Sequence, residues 1–180
     1  MKMTVAVLMS WITGIVMGLT SVDHTQAAEG GKAVFKDAKG NQIGTARLTQ
    51  TPNGVLIEAV LSNLPSGEHA FHIHQTGRCD AADGFKSAGG HYSPSKRKHG
   101  FMVDGGPHAG DMPNQFVSSD GTLQTHVANS HVSLVKGEGL LFKSDGTALV
   151  IHAKADDYRS QPSGDAGDRI ACAVIEPGGG

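Results

Sequence analysis

Cysteine is nearly missing: the 180 residues contain two, Cys79 and Cys172. Neither stands just after the apolar run near the N-terminus, which argues against a bacterial lipoprotein anchor. A basic excess is missing too. Fifteen Lys and Arg face 17 Asp and Glu, for a net charge of −2, so the chain lacks the electrostatic footprint of a nucleic-acid binder. Aromatic residues are few, at six Phe, two Tyr and one Trp, and prolines number seven, whereas glycine reaches 25. That balance favours many short segments joined by turns over long helices, and the expected class is all-β. There is no internal repeat, and no low-complexity tract apart from the short "PGGG" tail. The length suits one domain with a sizeable core.

One long apolar run does occur. Lys2 precedes "MTVAVLMSWITGIVMGL", and the polar "TSVDHTQAAEGG" follows, with Thr25 and Ala27, or Gln26 and Ala28, at the spacing a signal peptidase reads. Residues 1–28 are expected to be a secretory signal and 29–180 the folded domain. The alternative is an uncleaved anchor, since the run approaches the roughly 20 residues that span a bilayer. Cleavage takes one residue of each sign, Lys2 and Asp23, and leaves the net charge at −2. In the oxidising compartment beyond, an isolated cysteine pair is most economically one disulfide; in a cytosol it would be free thiols or ligands.

From Lys32 onward turn signals recur: "DAKGN", "TPNG", "NLPSGE", "SSDG", "KGEG" and "SDG". Between them lie short runs of β-branched and apolar residues, clearest at 54–61, 69–74, 122–127, 147–152 and 169–175. Their spacing suits antiparallel sheets in a sandwich or barrel. Two stretches break the rhythm, residues 75–115 and 153–168, which are polar, rich in glycine and charge, and adjoin the histidine-bearing strands. Long loops in a compact domain are usually functional or disordered.

His72 and His74 stand at i and i+2 on an expected strand, so both imidazoles leave the same face of the sheet. Taken alone, that pair is equally well a surface or core feature. The next loop, "GGHYSPSKRKHGFMVDGGPHAGDMPN", adds His91, His99, His108 and Asp111. Three imidazoles and a carboxylate form a tetrahedral set suited to zinc. His152 ends a further strand in "LVIHAKADD".

The ordered motifs "FHIH", "GGHYSP", "KHG", "PHAGD", "VIHAKADD" and "GDAGDRIACAVI" resemble the copper/zinc superoxide dismutases across residues 32–176. The leader and "HAGDMPN" are more similar to the bacterial exported, periplasmic branch. The resemblance implies an eight-stranded antiparallel Greek-key barrel or sandwich with two long functional loops. It implies one copper per subunit on His72, His74, His91 and His152, and one zinc on His91, His99, His108 and Asp111. His91 would then bridge two dications as an imidazolate, imidazoles suiting copper in both oxidation states and the Asp111 set suiting zinc. Asp156 matches the family carboxylate that links a copper histidine, His72, to a zinc histidine, His99. Arg169 matches the guanidinium that holds superoxide beside copper, where forked donors suit a small anion. A Cys79–Cys172 disulfide would tie the loop after "FHIH" to the strand of Arg169.

The implied reaction converts superoxide to dioxygen and hydrogen peroxide, with His91 and Arg169 as catalytic residues. The implied partner is this small substrate, with no nucleic acid and no stable membrane association once the signal is removed. Relatives include homodimers built through different surfaces, and monomers among the bacterial ones. Lys154 and Arg159 are candidates for a steering field. His69, three residues before His72, is expected on the opposite strand face in a structural role, and His126 and His131 have no partner pattern. Three features depart from the family: Ala70 and Ala173 where many relatives carry glycine, and an extra "FMVDGG" before "PHAGD". Rival readings are a copper-delivery module on the same fold, disfavoured by the presence of His152 and Arg169, and a copper-only dismutase, disfavoured by His99, His108 and Asp111.

Overall fold

A computed structural model describes residues 30–178; the expected signal lies outside them. Nine strands run in chain order: β1 Gly30–Asp37, β2 Gln42–Thr51, β3 Gly54–Leu61, β4 Gly67–His69, β5 Phe71–His74, β6 Gln115–Val117, β7 Leu123–Asn129, β8 Ala148–His152 and β9 Arg169–Pro177. Two single-turn 3₁₀ helices, Ala81–Asp83 and Lys86–Ala88, are the only helices among the described residues. No helix there is long and apolar enough to cross a membrane.

Alternation builds the strands. In β3 the side chains of Val55, Ile57, Ala59 and Leu61 are buried while their neighbours face out, the period of two expected of a half-buried sheet. Seven strands form one antiparallel sheet in the order β5-β8-β9-β1-β2-β3-β7, and β4 pairs with β6 in a second. The sheet curls into a barrel around Phe35, Leu48, Ile57, Leu61, Phe71, Ile73, Leu149 and Ile151. The neighbours β5 and β8, β9 and β1, and β3 and β7 are distant in sequence, the crossings of a Greek-key arrangement.

The expected strand 69–74 is interrupted. At Ala70 the chain changes partners: His69 pairs in β4 with β6, whereas Phe71 begins the pairing with β8. Ala70 itself bonds through its N–H to the Lys154 carbonyl and through its carbonyl to the His152 N–H. One expected strand thus becomes two, which brings the total above eight.

The second face of β5 and β8 positions the site. Phe71 and Ile73 of β5, with Leu149 and Ile151 of β8, fill the barrel. His72, His74 and His152 point the other way yet are buried, because the two long loops fold over that face. The first loop lies along the edge of β5: the Ile73 N–H donates to the Gly110 carbonyl at 2.8 Å, and the Tyr92 N–H donates to the Ile73 carbonyl at 2.8 Å. Gly110 permits this approach, since a Cβ there would stand 2.2 Å from the Ile73 oxygen.

Candidate metal centre

Three histidines of the centre are each held at one ring nitrogen and aimed by the other. His72 Nε2 donates to Asp156 Oδ2 at 2.8 Å, His74 Nδ1 to the Gly89 carbonyl at 2.9 Å, and His152 Nδ1 to the Gly167 carbonyl at 3.3 Å. Those bonds fix the tautomers, leaving lone pairs on His72 Nδ1, His74 Nε2 and His152 Nε2. The last two nitrogens face each other at 3.3 Å. Between β8 and β9 the register slips at Ile151/His152, so that His152 lies opposite Arg169. A bulge of this kind re-aims a side chain.

A second group gathers around Asp111. Its Oδ1 lies 2.9 Å from His91 Nδ1, 3.1 Å from His99 Nδ1 and 3.4 Å from His108 Nδ1, while Oδ2 accepts the Gly100 and His108 backbone N–H groups, each at 2.9 Å. One potential donor atom from each of His72, His74, His91 and His152 lies within 4.8 Å of the others, and the same holds for His91, His99, His108 and Asp111. His91 belongs to both groups, and Asp156 joins them from behind, its Oδ1 accepting from His99 Nε2 at 3.0 Å and its Oδ2 from His72.

Whether metals fit can be asked of the buried polar atoms. Among the described residues three buried side-chain nitrogens have no hydrogen-bond partner: His72 Nδ1, His91 Nε2 and His108 Nδ1. All three belong to this centre. An unpaired buried polar group is costly, and a cation in each group would satisfy them. An all-imidazole set beside a set with one carboxylate suits copper next to zinc.

The electrostatics match at three of the histidines. Burial lowers His74 well below its ordinary value, and lowers His91 to about 4 and His152 to about 3, so these rings stay neutral and able to ligate. Burial also works against a charge on His99, but its hydrogen bonds to the Asp111 and Asp156 carboxylates outweigh it and raise this histidine to about 9. Burial would push both carboxyl groups up. Their bonds to the histidines hold Asp111 and Asp156 well below the usual carboxylate range instead.

Arg169 lines a pocket with His74, His91 and His152. Its guanidinium is pinned from behind, Nη1 donating to the Phe85 carbonyl at 2.5 Å and Nη2 to the Gly89 carbonyl at 2.6 Å. The loop supplying these carbonyls packs Phe85 and Ala88 on Val150 and Cys172 and is tied to β9 by a Cys79–Cys172 disulfide.

His69 lies outside both groups, its Nδ1 2.8 Å from the His152 carbonyl and its Nε2 2.9 Å from that of Pro65, so it braces the strand carrying His152. His126 and His131 are exposed. Lys154 and Arg159 are exposed as well, and neither lines the pocket. The extra "FMVDGG" loops outward, closed by a bond from the Lys98 N–H to the Gly105 carbonyl at 3.1 Å, so His99 and His108 still converge. Sequence reasoning missed the anchors: the carbonyls of Phe85, Gly89 and Gly167, the Asn114 side chain paired with the Asp156 backbone, and Gln161, whose amide bonds both the N–H and the carbonyl of His99. Only Phe85, a large apolar residue in a polar stretch, carried a signal.

A family model described as copper/zinc superoxide dismutase matches residues 42–175. Superoxide dismutase [Cu-Zn] 1 of Aquifex aeolicus is 54% identical over 140 residues, which cover 77% of this chain and 82% of that protein. Superoxide dismutase [Cu-Zn] 2 of the same organism is 45% identical over 172 residues, covering 93% and 99%. Among solved structures, a SOD-like protein from Bacillus subtilis superposes with a TM-score of 0.76 at 34% identity, covering 79% of this chain and 96% of that one.

Proposed function

Because this chain belongs to the copper/zinc superoxide dismutase family, we propose that its two histidine groups are the working parts of that activity. Copper is assigned to His72, His74, His91 and His152, zinc to His91, His99, His108 and Asp111, and the bridge to His91. The activity is the disproportionation of superoxide, two superoxide anions and two protons giving dioxygen and hydrogen peroxide. The observation that carries the assignment is that every partnerless buried side-chain nitrogen among the described residues faces one of these two groups.

Bound copper supplies one-electron redox chemistry and bound zinc a fixed positive charge. The protein does the rest. Arg169, a permanent cation with two of its donors tied back to carbonyls, holds the anion in the pocket beside His74 and His152. The carbonyls of Gly89 and Gly167 keep the Nε2 atoms of these two histidines turned inward. His91 Nε2 is the atom that takes a proton in one half of the cycle and yields it to peroxide in the other. Burial disfavours the protonated form of this ring, which favours giving the proton up. With so small a substrate, speed rests on access and steering more than on binding.

Export is proposed with it. The folded domain begins near residue 29, after a leader with signal-peptide features, and it works outside the cytoplasm, a reading that the formed disulfide supports. The deciding experiment expresses the mature chain, measures bound copper and zinc, and assays superoxide removal before and after copper is withdrawn. One ion of each kind per chain, with activity lost on copper removal, is expected; a metal-replete protein without dismutase activity would overturn the reading.

A further inference from the structure

The carboxylate that joins the two groups is pressed into place by a backbone. Gly164 sits at φ +70°, and a Cβ on it would stand 1.8 Å from Asp156 Oδ1, 2.5 Å from Asp156 Cγ and 2.8 Å from His99 Nε2. Nothing but a hydrogen fits between this Cα and the Asp156–His99 pair.

Neither side can easily give way. Segment 157–164 is knitted to itself: the Gly164 N–H donates to the Ser160 carbonyl at 2.7 Å, and the Asp157 N–H donates to the Gly164 carbonyl at 3.0 Å. The Asp157 carboxylate also accepts the N–H groups of Arg159 and Ser160, both at 2.8 Å. Gln161 clamps this segment to His99, accepting the His99 N–H at 3.0 Å and donating to its carbonyl at 2.8 Å. On the opposite side the Asp156 backbone is held by Asn114, whose Oδ1 accepts the Asp156 N–H at 2.8 Å and whose Nδ2 donates to the Asp156 carbonyl at 2.9 Å. The carboxylate between them accepts the Tyr158 N–H on Oδ1 at 2.6 Å, and its two oxygens orient His72 and His99.

We propose that Gly164 is a positioning residue for both metal groups: its bare Cα confines the Asp156 carboxylate to the one placement that orients His72 and His99 together. The inference rests on the metal assignment given above. Residues that orient metal ligands from behind typically contribute about 10- to 100-fold to metal affinity. An added methyl at 164 therefore weakens both ions together, although residue 164 is a ligand to neither.

The test compares Gly164→Ala, Asp156→Ala, the double variant and Gly40→Ala with the unmodified mature protein. Gly40 is the control for backbone strain, since it also has a left-handed φ, +83°, but has open space where its Cβ would go. The readouts are zinc and copper affinities by chelator competition and the electron paramagnetic resonance spectrum of Cu(II). Gly164→Ala is expected to lower both affinities by about 10- to 100-fold and to alter the copper spectrum. Gly40→Ala should do neither, and the double variant should bind no more weakly than Asp156→Ala alone. Should Gly164→Ala fold poorly, its unfolding temperature should recover in the double variant, where the obstructing carboxylate is gone. Unchanged affinities in Gly164→Ala, equal losses in both glycine variants, or losses at 156 and 164 that simply add would each overturn the proposal. Failure of the unmodified protein to take up either ion would overturn the metal assignment instead.

Discussion

Arg169 is held by two carbonyl oxygens and no carboxylate, so its charge stays directed at the pocket. Replacing it by glutamine removes a charge-assisted contact of about 1.5–3 kcal/mol, and kcat/KM for superoxide should fall by about 10- to 100-fold with both metals retained. Stopped-flow decay of superoxide alongside metal analysis checks both halves of that statement. The histidines of the metal-free protein predict its pH profile. An unfolded histidine titrates near 6.5. Below that pH the unfolded chain binds protons that buried His74, His91 (about 4) and His152 (about 3) refuse, so stability falls with falling pH. His99 has the opposite sign: raised to about 9, it contributes fully below 6.5 and loses that contribution as pH rises through 9. Urea midpoints of the metal-free protein at pH 5, 6.5 and 9 should therefore be highest at 6.5, and a steady rise from 5 to 9 would contradict the assignment of His99.

The loop from Gln75 to Gly90 builds a small core of its own, with Phe85 fully buried against Val150 and Cys172. Phe85→Ala should cost about 3–5 kcal/mol, and it should also lower kcat/KM, because the Phe85 carbonyl moves with the loop. Removing the disulfide with Cys79→Ser and Cys172→Ala should cost about 2–5 kcal/mol. It should reduce activity in the same direction at unchanged copper content, measured by denaturant melts and the superoxide assay. The strands were legible in part: "GVLIEAVL" alternates cleanly and forms β3 over the expected residues 54–61, whereas β1, β2 and β6 were not among the clearest runs. "HAFHIH" was only half legible, because its pattern shows which side chains share a face but not that the strand changes partners at Ala70. The clustering of histidines was visible, but the His-x-His pair alone was equally a surface or core feature, and the division into two ligand sets was implied only by the family resemblance. The anchors at Gly89 and Gly167 were not visible, because every residue carries a carbonyl and only the tertiary approach selects one.

Charge is arranged against the average. The chain is net negative at −2, yet the pocket beside Arg169 is lined by histidines, glycines, a proline and a serine, with no carboxylate. Raising ionic strength from about 0.01 to 0.15 M shortens the screening length from about 30 to 8 Å. It should therefore lower kcat/KM in the intact enzyme and have much less effect in Arg169→Gln. The position of β9 has a consequence in time. It is the last strand in chain order, yet it lies between β8 and β1 in the middle of the sheet. Until it is in place, the β5–β8 pair carrying His72, His74 and His152 has no strand pairing with the β1-β2-β3-β7 block. A growing chain therefore joins the two halves of its sheet, and sets Arg169 beside the histidines, only when its last strand has been made.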